Sequence, residues 1–230
     1  MNLSSERLCA FSAYVFVLLF GIGFWPLGGF IPPPSPGWTA AEVAAFYQHD
    51  TNLLRLGLLL MMTACGAALA FYGAISGQML RIRSASPTLA YVQLAAGVMT
   101  QVLIVLPVMI WTAAAFHPER DPALTLLLHE LGWLMLIMPF FGAMVQNIAI
   151  ALAILADRSA TPLFPRWAAY FNFWTALLFV PGGLITFFKA GPFAWNGILA
   201  FWLPFVVFFS WFLLMPALVL RAIDKPNSAH

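Results

Sequence analysis

The sequence predicts an all-α, polytopic membrane protein: a bundle of six transmembrane helices with a short outer amphipathic helix, forming one domain over residues 1–230. Three observations carry this. Only 8% of the 230 residues are charged and 63% are hydrophobic, with a mean hydropathy of +0.91, whereas a soluble surface needs roughly 25% charged residues to stay wetted. Six apolar runs each reach the about 20 helical residues that cross a hydrocarbon core. None alternates with period two as a barrel strand does, so helices are left to satisfy the backbone in lipid.

The first run, Cys9–Phe30, starts like a secretory signal after Arg7. Its far end, Trp25-Pro26-Leu27-Gly28-Gly29-Phe30, lacks a small-x-small cleavage pattern, so it is expected to be retained as a helix. The connection Ile31–Thr51 opens with Pro32-Pro33-Pro34-Ser35-Pro36, a stiff extended segment. Thr39 and Glu42 then match a capping box, and Val43, Phe46 and Tyr47 share one helical face. Such a helix lies on the outer interface over the bundle mouth, or is an ordinary amphipathic connector.

The second run is Leu53–Ile75, where Gly66, Ala70, Gly73 and then Gly77 make a small-residue face suited to close helix approach. The third, Leu89–Phe116, the fourth, Leu124–Ala156, and the sixth, Phe193–Arg221, exceed one crossing and must tilt, kink or project. The fourth is small or polar on two faces, through Gly142, Gln146, Ala149 and Ala153 and through Ala143, Asn147 and Ala151, which predicts a central position. The fifth run is Trp167–Phe188. Pro26, Pro107, Pro139 and Pro181 all fall in the outer halves of their runs and are expected to bend them outward.

Orientation follows from the ten Lys and Arg. With a cytoplasmic N-terminus, Arg7, Arg81, Arg83, Arg158, Arg166, Arg221 and Lys225 are inside, against Arg55, Arg120 and Lys189 outside. This positive-inside bias predicts a multi-pass protein of a bacterial cytoplasmic (inner) membrane with both termini cytoplasmic. Cys9 and Cys65 lie at different depths and read as packing residues rather than a disulfide. No basic stripe points to nucleic acid.

Polar side chains within the runs form two groups. The deeper one comprises Gln93, Gln101, Gln146, Asn147 and Asn172. Gln101 is expected to face Gln146, and Gln93 to approach Asn172, because an unpaired amide is costly in hydrocarbon. This intramembrane polar cluster serves as interhelical glue or as a polar ligand site. The second group, at the outer mouth, is Arg55, His129, Glu130, Trp133 and Lys189, beside a loop crowded with His117, Glu119, Arg120 and Asp121. An Arg55–Glu130 ion pair is expected there, with His129 or Trp133 lining an adjoining cavity.

Metal, haem and phosphate-loop chemistries have no matching motif: HExxH, CxxC, GxSxG and the Gly-rich phosphate loop are all missing, and the four histidines are too few for a histidine box. No metal site is expected, and nothing specifies a cofactor. Three functions remain. The first is a protein that binds or moves a small lipophilic molecule through an outward-opening cavity, its polar end held by the outer group. The second is a membrane enzyme using His129 and Glu130 for proton transfer. The third is a structural subunit packing on a membrane protein partner or a second copy of itself.

Overall fold

A computed structural model describes residues 4–226; His230 lies outside them. The described residues hold helices and no strand, and six of the helical segments are long and apolar enough to cross a membrane: Ser5–Leu27, Thr51–Leu80, Pro87–Phe116, Pro122–Ala156, Arg166–Phe187 and Ile198–Ile223. Large apolar side chains such as Leu18, Leu59, Leu127 and Trp174 stand on the exterior, as a lipid-facing surface requires. This is a multi-pass membrane protein.

Local chemistry fixes where the helices begin. Helix α1 (Ser5–Ile22) is capped by Ser4, whose side chain accepts from the Arg7 amide, and passes into a π-helical turn at Gly23–Leu27 that contains Pro26. Helix α2 (Ala40–His49) has both arms of the Thr39–Glu42 capping box; Val43 and Tyr47 are buried and Phe46 is half-buried. These bonds have an electrostatic counterpart: the Thr39 amide, then its hydroxyl, hold the exposed Glu42 carboxyl below the usual range. Asp50, Ser86 and Asp121 cap α3 (Thr51–Leu80), α4 (Pro87–Phe116) and α5 (Pro122–Ile137). Pro87 and Pro122 start their helices where a missing N–H costs nothing.

The fourth span is not one helix. Pro139 offers no N–H to the ladder, so α5 gives way at Met138 and α6 (Phe141–Ala156) starts anew. The fifth span is α-helical only as α7 (Arg166–Leu178); from Val180, with Pro181 next, it tightens into a 3₁₀ stretch ending at Phe187. The sixth begins at Ile198, five residues later than the apolar run predicts, with a π-helical turn leading into α8 (Leu203–Ile223). The cause is the turn before it, closed by Ala194 N–H donating to Gly191 O (3.2 Å) and Gly197 N–H to Ala194 O (2.8 Å).

Neighbouring helices close a ring in the order α1, α3, α4, α6, α7, α8 and back to α1, while α5 packs on α4 and carries α2 on its other side. The fourth span therefore takes a place in the ring, through α6, rather than its centre. The backbones of α3 and the π-helical turn after α1 come close at Gly23 and Gly57, where a Cβ on Gly57 would stand 2.7 Å from the Gly23 oxygen. The predicted glycine face is elsewhere: Gly66, Gly73 and Gly77 have nothing within 4 Å of a built Cβ and look outward.

Candidate functional site

Between α4 and the α5–α6 break on one side, and α1 and the sixth span on the other, lies an apolar cavity of about 130 Å³. The break shapes it. Ile137, Pro139 and Phe140 form part of one wall, and the 3₁₀ stretch presses on them closely enough that a Cβ on Gly182 would stand 2.8 Å from the Ile137 oxygen. Phe201, Phe205 and Phe209 form the facing wall, their successive ring centroids 5.3 Å and 4.7 Å apart. Thr100 supplies the only side-chain hydroxyl on the lining, and it donates back to Ala96 O at 2.8 Å. No charged side chain lines the space. An apolar cavity of this size holds a small ring or a few methylenes.

Beyond Phe24 and Phe201 comes an aromatic layer at the α2 end. Trp133 does not line the cavity itself, but its ring meets Phe24 at 6.2 Å and Phe201 at 5.9 Å. His129, one turn earlier on α5, is 1% exposed. Trp133 Nε1–H donates to His129 Nε2 at 3.1 Å. An indole nitrogen only donates, so Nε2 is the bare nitrogen and Nδ1 carries the proton. Nδ1–H then donates to the Tyr47 hydroxyl oxygen at 3.2 Å. Burial pushes the Tyr47 phenol well above its ordinary pKa, so it stays a neutral hydroxyl. Trp111 Nε1–H donates to the His129 carbonyl at 3.4 Å. A neutral imidazole with both nitrogens engaged ties α2 to α5; it has no free nitrogen with which to exchange a proton.

The other residues of this group go separate ways. The expected Arg55–Glu130 pair does not form. Arg55 Nε and Nη2 donate to Ala115 O at 3.1 and 2.9 Å, and Nη2 also to Phe116 O at 3.1 Å. The last carbonyls of a helix have no partner within it, and the C-terminus favours a cation, so the α4 end captures the guanidinium. Arg120 adds a bond to Ala113 O at 3.3 Å. Glu130 is half-buried with no hydrogen bond or ion pair among the described residues, and Lys189 is exposed and equally without one. In the nearby loop His117 pairs with Glu119 at 2.9 Å. The Glu119 backbone amide, then that imidazole, lower its carboxyl pKa.

The deeper amides are buried but do not bond one another. Gln101 Oε1 accepts from the Tyr72 hydroxyl at 3.1 Å, and Gln93 Oε1 from the Ser76 hydroxyl at 2.5 Å. Asn172 Oδ1 accepts from Trp211 Nε1–H at 2.9 Å rather than meeting Gln93. Gln146 reaches α4 at Gly97, where a Cβ would stand 2.8 Å from its Nε2. Sequence reasoning counted the amides and overlooked these single donors. Tyr72 and Ser76 lie one turn apart on α3, a spacing that marks them as a polar pair facing α4. Gln93 Nε2, Gln101 Nε2 and Gln146 Nε2 keep no hydrogen-bond partner within the protein, nor does Asn147 Oδ1. These amide N–H₂ groups lie on α4 and α6, with the Tyr72 phenol packed against Gly97 among them.

No protein-family model, curated protein or solved structure matches this chain.

Proposed function

We propose that this protein binds, or moves, a small lipophilic molecule whose apolar part occupies the phenylalanine-lined cavity between α4, the α5–α6 break and the sixth span. The observation that carries the reading is that cavity: about 130 Å³, without a charged lining group, at a proline break between two half-helices. Its surroundings support binding over catalysis, since the imidazole of His129 is engaged at both nitrogens and Glu130 does not touch it. In this reading the chain is a single six-helix bundle in a bacterial cytoplasmic membrane, α2 caps the outer mouth, and both termini are cytoplasmic. The seven-to-three basic asymmetry supports that orientation. Impermeant thiol labelling of intact cells checks it: a cysteine at Gln48 reacts, and one at Ser84 is protected.

The binding test fills the cavity. The protein is purified from its native membrane and bound lipophiles are identified by mass spectrometry, beside Ala143→Phe and Ala200→Phe variants. Ala143 and Ala200 both line the space. A small molecule held by the parent and lost from both variants supports the reading. A parent that carries none, or variants that retain it, sinks it. A specific observation keeps the subunit reading as second: the open face of Gly66, Gly73 and Gly77 on α3 has the small residues by which membrane helices associate.

A further inference from the structure

A second cavity, about 710 Å³, lies at the end of the molecule away from α2. It is built from the end of α3 and the turn after it, the α6–α7 connection, and the chain after α8. Four cations line it, Arg81, Arg83, Arg158 and Lys225, against one carboxylate, Asp157. The carboxylate is committed to its own loop. It accepts from the Ser159 amide (3.0 Å), the Ser159 hydroxyl (2.7 Å) and the Leu163 amide (2.8 Å). Burial pushes its pKa up, but these bonds and the Lys225 charge outweigh that and hold it below the ordinary carboxylate value.

Two of the cations are structural. Arg81 donates to Gln78 Oε1 and to the carbonyls of Ala222 and Lys225, at 2.5, 2.7 and 2.6 Å. Lys225 Nζ donates to Pro162 O and Leu163 O at 2.6 and 3.1 Å. Arg83 and Arg158 differ: neither guanidinium has a hydrogen bond or ion pair among the described residues. Their backbones are nonetheless held together, because the Arg158 amide donates to Ser84 Oγ at 3.1 Å. That bond leaves the Ser84 hydroxyl proton free to donate into the cavity, beside the Thr161 hydroxyl on the same lining.

Two guanidinium forks and two hydroxyls around one space match an oxyanion with several acceptor oxygens, and arginine suits phosphate through its paired parallel donors. The depth points the same way. Tyr91, Trp167 and Tyr170, in the first two turns of α4 and α7, are half exposed or more, and exposed Trp and Tyr mark the headgroup level of a bilayer. Basic pockets at that level hold anionic headgroups. We infer that this cavity binds a phosphate group between Arg83 and Arg158, belonging to an anionic phospholipid or to free phosphate. The inference stands whichever face is cytoplasmic and whether or not the apolar cavity holds a ligand.

The full-length protein in detergent, examined by native mass spectrometry, tests it. Phosphatidylglycerol and phosphatidylcholine with the same acyl chains are added in competition, with and without inorganic phosphate. The parent should retain phosphatidylglycerol over phosphatidylcholine by about tenfold or more, since each of the two arginines near such a headgroup contributes about fivefold. The Arg83→Gln/Arg158→Gln variant should lose that preference. Arg166→Gln, a basic residue outside the cavity lining, should keep it. The single variant Arg158→Gln, expected to lose part of it, carries the test if the double variant unfolds. Displacement of the lipid by millimolar inorganic phosphate, or stabilisation by phosphate alone that the variants lack, assigns the site to free phosphate. Preference for phosphatidylglycerol that phosphate does not displace assigns it to the lipid. Equal retention of the two lipids with no response to phosphate overturns the proposal, as does a preference untouched by removing both arginines.

Discussion

At the α2 end, Arg55 and Arg120 are bound to the last carbonyls of α4, and His129 is held neutral between an indole and a phenol. At the opposite end, Arg83 and Arg158 stand on an open cavity with their guanidinium groups unengaged. The first set of polar groups is consumed in holding helices together; the second leaves donors over. A count of charges at each end cannot tell these cases apart, because what matters is whether each guanidinium meets a carbonyl acceptor, as Arg55 does at Ala115 and Arg83 does not. Polar residues at the α2 end should therefore govern stability, and the arginines of the opposite cavity should govern ligand retention.

The largest effect that would break this contrast is at Trp133. It is fully buried and is the donor that sets the His129 tautomer. Trp133→Ala should cost about 3–5 kcal/mol in thermal or denaturant unfolding in detergent; a loss below about 1 kcal/mol would show the aromatic layer to be dispensable. Next comes Arg55. Arg55→Gln should cost about 2 kcal/mol through charged bonds to the α4 end. In a double-mutant cycle with Glu130→Gln the two effects should add to within about 0.5 kcal/mol. Coupling well above that would restore the ion pair that the geometry denies.

A smaller effect separates the Asp157 loop from its cavity. Its folded pKa lies below the unfolded value near 3.9. The stability it contributes is therefore complete above about pH 4 and is lost as pH falls through the depressed folded value. Asp157→Asn should lower stability by about 1 kcal/mol at neutral pH, and the gap to the parent should close in acid. The smallest change sharpens the comparison most: Arg83→Gln should shift unfolding by less than about 0.5 kcal/mol, although it weakens anion retention.

Much of the architecture was legible in the residues. Apolar runs gave six spans, and the Thr39–Glu42 box and the Pro139 break follow from local backbone chemistry that no tertiary context overrides. The sixth start at Ile198 was not legible, because apolarity continues through a turn that Gly191 and Gly197 close. The glycine pattern misled for a related reason. Gly66, Gly73 and Gly77 permit close approach without requiring it, while the contact that needs small residues pairs Gly57 with Gly23 in a π-helical turn. Among the site residues, sequence placed the amides within the spans but mismatched their partners, and it set His129 and Trp133 at an open mouth, whereas both are buried. Tyr47, Tyr72, Ser76 and Trp211 supply the bonds, and an aromatic donor on a neighbouring helix looks like any other apolar residue in a hydropathy reading.

The bond between Tyr47 and His129 joins residues 82 positions apart, and that between Trp195 and Pro34 joins residues 161 apart. A ribosome adding about 5–20 residues per second presents α2 roughly 4–16 s before its imidazole partner exists. The proline segment waits about twice as long for Trp195. During that interval Phe46 and Tyr47 lack the His129 ring that later meets both, while the early spans already have the packing of α1 on α3, the Gly23–Gly57 contact included. Closure of the α2 end thus waits on residues made long after α2 itself, and the opposite cavity waits longer still, for Lys225.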